Sequence, residues 1–163
     1  MKHSPLQLRH LLFKKILVDA VVDNSEGGES AAENSDATAF DVNGVTFDSS
    51  IDVRCQDDET ADPRAYTINY AFRITNETGK KCPYLIEFIA SGLFEVVGNV
   101  PVAERETFVA VNGTTLLFGV MREQIASITA RGLNGMLFLP TVNFLDLKKP
   151  KADVTVNGVS PAL

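Results

Sequence analysis

The sharpest pattern in the chain lies between Tyr66 and Thr75, where Tyr66, Ile68, Tyr70, Phe72 and Ile74 alternate with Thr67, Asn69, Ala71, Arg73 and Thr75. Successive side chains of a strand project to opposite sides, so this two-residue period predicts a β-strand with one dry and one wet face. A second run starts at Tyr84, with Tyr84, Ile86 and Phe88 facing one way and Leu85, Glu87 and Ile89 the other. The polar, glycine-containing loop NETGKK between them predicts an antiparallel hairpin. Near Ser91-Gly92 the parity is expected to shift, because a glycine inside a strand marks a bulge or a close backbone approach.

Upstream, Val45, Phe47, Ile51, Val53 and Cys55 keep odd parity through GVTFDSSIDVRC, which predicts another half-buried strand, and QDDETADPR then makes a polar turn. Residues 4–20 support two readings. Ser4 as a cap, Pro5 in a first turn and Leu8, Leu11, Leu12 and Ile16 on one face make a helix. The alternation of Leu6 and Leu8 with Gln7 and Arg9, followed by Ile16-Leu17-Val18, makes a strand. Residues 23–39 hold five acids and no large apolar side chain. Such a stretch cannot offset its ordering entropy by burial, so it is expected to be a flexible acidic loop.

Beyond Gly98 the period becomes helical. Pro101 suits a first turn, Asn112-Gly113 is expected to break the run, Thr114 to cap a second helix and Gly132 to end it. In that second helix Leu117, Met121, Ile125 and Ile128 share a face, while Gly119, Ala126 and Ala130 offer small surfaces for close packing against another helix. MLFLPTVNFLDL is apolar, and the following KKPKADVTVNGVSPAL is expected to fray.

With 163 residues, 45% of them hydrophobic, the chain fits one domain over residues 1–147 and a flexible tail over 148–163. A net charge of −6 argues against nucleic acid as a partner, since phosphate binding needs a concentrated basic surface. The stretch Leu11 to Val22 is interrupted by Lys14, Lys15 and Asp19, so neither a membrane anchor nor a signal peptide is expected, and the chain reads as cytoplasmic. Cys55 and Cys82 form no ligand-spaced pair, and Asp57, Asp58, Glu59 and Asp62 lack calcium-loop spacing. His3 and His10 lie at the terminus, Cys82 has no evident base nearby, and no phosphate loop is found. The expectation is a protein without catalytic residues, metal or cofactor.

The order YLIEFIASGLF, then LLFGVMREQIASITARG, then PTVNF resembles the SecB family of export chaperones. The resemblance rests on Tyr84-Leu85-Ile86-Glu87, Gly92-Leu93-Phe94, Arg122-Glu123, Ala130-Arg131-Gly132 and Val142-Asn143-Phe144. It covers residues 6–147 and is strongest over 84–144. It implies that residues 6–20 are a strand, and an α+β fold in which a four-stranded antiparallel sheet packs on a long helix. It further implies a homotetramer, assembled as a dimer of dimers, that holds unfolded preproteins without ATP. Phe40, Phe47, Phe138, Leu139, Val142 and Phe144 are the resulting candidates for a client groove. Asp19, Leu85 and Glu87 occupy positions matching the family's docking patch for the SecA motor. Lys15, where the family carries an acid, departs from that pattern, as does the Lys- and Pro-containing tail in place of a second helix. Use of the same fold as a dedicated chaperone for an antitoxin is an alternative, as is a small-ligand binding module.

Overall fold

The computed structural model describes residues 3–22 and 40–148, together with the backbone of 156–157. Four long strands come first: β1 (Leu6–Ala20), β2 (Asp48–Cys55), β3 (Ala65–Ile74) and β4 (Tyr84–Val96). A helix, α1 (Val102–Thr129), follows, then a short 3-10 turn (Leu145–Lys148) and a two-residue strand, β5 (Val156–Asn157). The sheet is antiparallel in the order β1-β4-β3-β2-β5. The fold is thus the α+β arrangement expected, four long antiparallel strands with one long helix across them. The acidic stretch 23–39 and most of the tail lie outside the described residues.

The two readings of the N-terminal segment resolve as strand. Leu6 pairs with Val96 at one end and Ala20 with Tyr84 at the other, so β1 covers the whole free edge of β4. Packing decides what local propensity left open, because a helix there would leave the β4 ladder unpaired. Burial alternates without interruption from Tyr84 to Val96, so the parity shift expected near Ser91-Gly92 does not occur in β4. The irregularities lie in the partner instead, between Leu8 and His10 and between Phe13 and Lys15 of β1. Gly92 serves close approach: a Cβ there would sit 2.7 Å from Phe94 and 2.9 Å from Leu117.

The expected break at Asn112-Gly113 is also absent. Residues Val102–Thr129 form one continuous helix of 28 residues, and Thr114 is a buried interior residue, not a cap. The two signals have local explanations. The Asn112 amide donates to the Phe108 carbonyl within the helix. Gly113 lies where a Cβ would come within 2.4 Å of Ile68, so the helix needs a bare backbone to reach the sheet. The buried row runs at four-residue spacing through Val109, Gly113, Leu117, Met121 and Ile125 to Thr129. Ile128, placed on that face by its spacing, is 41% exposed, because the row continues to Thr129.

The core is the sandwich of this row with the even-numbered residues of β3 and β4. Ile68, Phe88, Phe94, Leu117 and Ile125 have no exposed surface, and each contributes roughly 1.5–3 kcal/mol by leaving water. At the helix start the buried Arg105 donates to Asp62 at 2.6 Å, to the Pro63 carbonyl and to the Val100 carbonyl, fastening the polar turn before β3 to α1. A buried guanidinium is tolerated because it makes three hydrogen bonds to protein oxygens, one of them to a carboxylate.

Candidate functional site

After α1 the chain turns back over the sheet, and the turn is tied to β4. The Tyr84 hydroxyl donates to the Gly135 carbonyl at 2.7 Å and accepts the Asn134 N–H at 3.2 Å. The Leu137 N–H donates to the Thr129 hydroxyl at 2.9 Å. From there Leu137 and Leu139 point inward and are buried, while Phe138 points outward. The returning segment runs opposite β2 and leaves a groove between the two.

One wall of the groove is β2 with its approach, presenting Phe47, Ser49 and Ile51; the other is the returning segment, presenting Leu139, Val142 and Phe144. Tyr70 and Phe72 of β3 and Phe118 of α1 make the floor, and the groove is open to solvent between the walls. The register that sets Ile51 across from Tyr70 and Ser49 across from Phe72 brings the odd positions of β2 and the even positions of β3 onto this face. The aromatic rings form a connected cluster. Phe144 meets Phe118 and Tyr70 edge-on at 5.7 and 6.1 Å, Phe118 meets Phe72 at 6.0 Å, and Phe47 stacks on Phe72 at 5.8 Å. Such pairs add stability beyond their area and hold the floor rigid.

The groove carries little charge. Burial pushes the Tyr70 phenol far above its ordinary range, with a Ser49 hydrogen bond acting weakly the other way, so this hydroxyl stays neutral. Ser49, Asn143 and Asp146 supply polar atoms along the rim. An apolar floor with sparse polar groups at its margin has the make-up of a binding site.

Of the six groove candidates, Phe47, Leu139, Val142 and Phe144 come together here. Phe47 and Val142 keep partial exposure, whereas Leu139 and Phe144 are buried and serve as foundation. Phe40 lies elsewhere, under the Lys80 ammonium at 4.8 Å. Phe138 is 44% exposed on the opposite side of α1, where it neighbours Met136 and the small residues Gly119, Ala126 and Ala130. Sequence reasoning missed Ser49, Ile51, Tyr70, Phe72 and Phe118 as lining residues. The strand parities were visible, but that this corner of the sheet outruns the helix was not.

Asp19, Leu85 and Glu87 share the sheet face opposite α1. Asp19 pairs directly with Leu85, and Leu17 with Glu87. The Glu87 carboxylate forms ion pairs with Lys15 and, at 3.0 Å, with Arg73. These two cations, Lys15 foremost, hold its carboxyl below the usual range against the opposing effect of desolvation. Glu87 therefore presents a largely compensated charge.

Among the described residues no cluster of three His, Cys, Asp or Glu is placed to hold a metal ion. Both cysteines are free thiols, and burial raises the pKa of each, which disfavours a reactive thiolate. No helix of the described residues is long and apolar enough to cross a membrane. An apolar groove with a single charged lining residue, Asp146, on a sheet-and-helix frame is an arrangement suited to binding. The sequence pattern of the family described as "Preprotein translocase subunit SecB" matches residues 31–153. The chain belongs to the SecB family.

No curated protein sequence matches the chain. Among solved structures, the chain is similar to a Mycobacterium tuberculosis SecB-like chaperone in complex with a ChAD peptide from the HigA1 antitoxin. The two are 18% identical, the match covers 85% of this chain and 91% of that one, and the TM-score is 0.48.

Proposed function

We propose that this chain is a cytoplasmic, ATP-independent holdase that keeps unfolded polypeptides from aggregating and acts by binding alone. The observation that carries the reading is the groove of Phe47, Ile51, Tyr70, Val142 and Phe144, which is apolar, open and lined on one side by β2, whose outer edge pairs with β5 only at Asp48 and Ser49. An extended client gains main-chain hydrogen bonds from such an edge and places alternate side chains in the groove, so little sequence is read. A groove that engages only a short stretch of chain buries little surface and holds it weakly. Several grooves on one assembly, engaged by one long client, raise avidity by roughly 10²–10⁴.

The assembly we propose is a homotetramer. The outward side of α1 around Gly119, Ala126 and Ala130, with Met136 and Phe138 of the returning segment each more than 40% exposed beside it, offers apolar surface for another copy to cover. For the pathway, Sec-dependent export of preproteins is the first reading, with Asp19, Leu85 and Glu87 as the docking patch for SecA. Compensation of Glu87 by Lys15 and Arg73 weakens an acidic docking patch and favours a second reading, a dedicated client such as an antitoxin.

The test is suppression of aggregation of a chemically unfolded protein in the absence of nucleotide. Suppression at stoichiometric chaperone is the expected result, and Phe47→Asp with Val142→Asp reduces client affinity at least tenfold, because a carboxylate on the groove wall must be desolvated by every apolar client. Unchanged aggregation at a molar excess of the wild-type protein overturns the reading. Binding of purified SecA separates export from the dedicated role.

A further inference from the structure

β2 is an edge strand of the long-stranded sheet, and its outer side is a row of main-chain donors and acceptors of the sort that recruits another strand. The chain's own tail takes part of it. Val156 pairs with Ser49 and Asn157 with Asp48, antiparallel, at the end of β2 nearest Phe47. Ser49 is thereby shared between two structures, since its backbone carries the tail strand and it also lines the groove, next to Phe47 and Ile51.

We infer that the C-terminal segment is an internal stand-in for a client, a strand that adds to β2 at Asp48–Ser49 and must be displaced before an extended polypeptide can take that edge and fill the groove. The inference rests on the polypeptide-binding reading above. An extended peptide whose alternate side chains enter the groove has to run along β2, and there it meets β5. Two residues of pairing make a weak strap, one that opens readily and lowers apparent client affinity by the fraction of molecules in which it is closed. A strap of this strength favours long or multiply anchored clients over short stray peptides, which are kept off the edge.

The test is the full chain carrying Val156→Pro and Asn157→Pro together. Proline removes the main-chain donor at both positions, so whichever of them bonds to β2 is lost. Affinity for a reduced, alkylated and therefore permanently unfolded protein is measured by fluorescence anisotropy, with amide hydrogen exchange across β2 followed in the same samples. The expected result is roughly three- to tenfold tighter binding and faster exchange at the end of β2 before client is added. Val159→Pro, beyond the paired residues, leaves both readouts unchanged. Unaltered or weaker affinity of the double variant, in a protein whose wild type binds, overturns the strap alone. Equal tightening in Val159→Pro also overturns it. If wild type and variant both fail to bind, the groove reading falls and the strap with it.

Discussion

The helix meets two parts of the same sheet, and the two meetings end differently. Over β3 and β4, Leu117 and Ile125 lock against Ile68, Phe88 and Phe94 with no exposed surface left. Over β2 the helix supplies only Phe118 to the floor, and Phe47, Ile51 and Val53 stay half-buried. The residue types are alike on both sides, so composition does not separate a core from a binding surface. Geometry does: the sealed side has a bare-backbone contact at Gly113 that lets two elements touch, and the open side has a strand that extends past its cover. Stability is concentrated in the first region, and the client affinity we propose belongs to the second.

Four changes set these regions against each other. The largest loss comes from the sealed side: Ile125→Ala leaves a cavity and lowers unfolding free energy by about 2–5 kcal/mol, measured by urea denaturation, with client affinity per folded molecule unchanged. Gly113→Val drives a side chain into Ile68 and costs about 1–3 kcal/mol in the same assay. A wild-type-like melt for Gly113→Val would show that the close approach there is soft and the contrast less sharp. Gly119 has nothing within 4 Å of the position a Cβ would take, so Gly119→Ala stabilises the subunit by up to about 1 kcal/mol through helix propensity.

The smallest effect belongs to the outer face of the sheet. Glu87 has its pKa lowered in the folded chain, chiefly by Lys15 and then by Arg73, so the stabilisation it gives is present above the ordinary glutamate range. That stabilisation is lost as pH falls through the lowered folded value. Glu87→Gln removes this part of the pH dependence, and the urea midpoints at pH 7 and pH 3 should lie closer together than in the wild type. An identical spread in both proteins would mean the ion pairs are energetically silent, as many exposed pairs are.

Much of the frame was legible from period alone. Tyr66 to Ile74 and Tyr84 to Ile89 read as a hairpin because their alternation is strict and one face is fully buried. β1 was not legible locally, since its bulges blur the alternation that a long strand would otherwise show. Asn112-Gly113 predicts a break in the helix because Asn-Gly signals a turn when nothing is known of the neighbouring surface. Its real meaning is a contact with Ile68, which lies far away in sequence. The groove divides similarly. Val142 and Phe144 follow the helix closely enough to be placed, but which of Leu137, Phe138 and Leu139 turns inward depends on the angle at which the chain leaves Gly135. That angle is fixed by Tyr84, not by the residues themselves.

The Tyr84 hydroxyl bears on more than packing. The returning wall hangs from a strand residue about fifty positions earlier in the chain, at Asn134 and Gly135. Its hinge is set by the sheet, while the side chains it shows to the groove are set by its own sequence. Such a wall can be rewritten residue by residue without disturbing the frame that holds it, which, on the function proposed above, gives one architecture a ready way to drift between clientele.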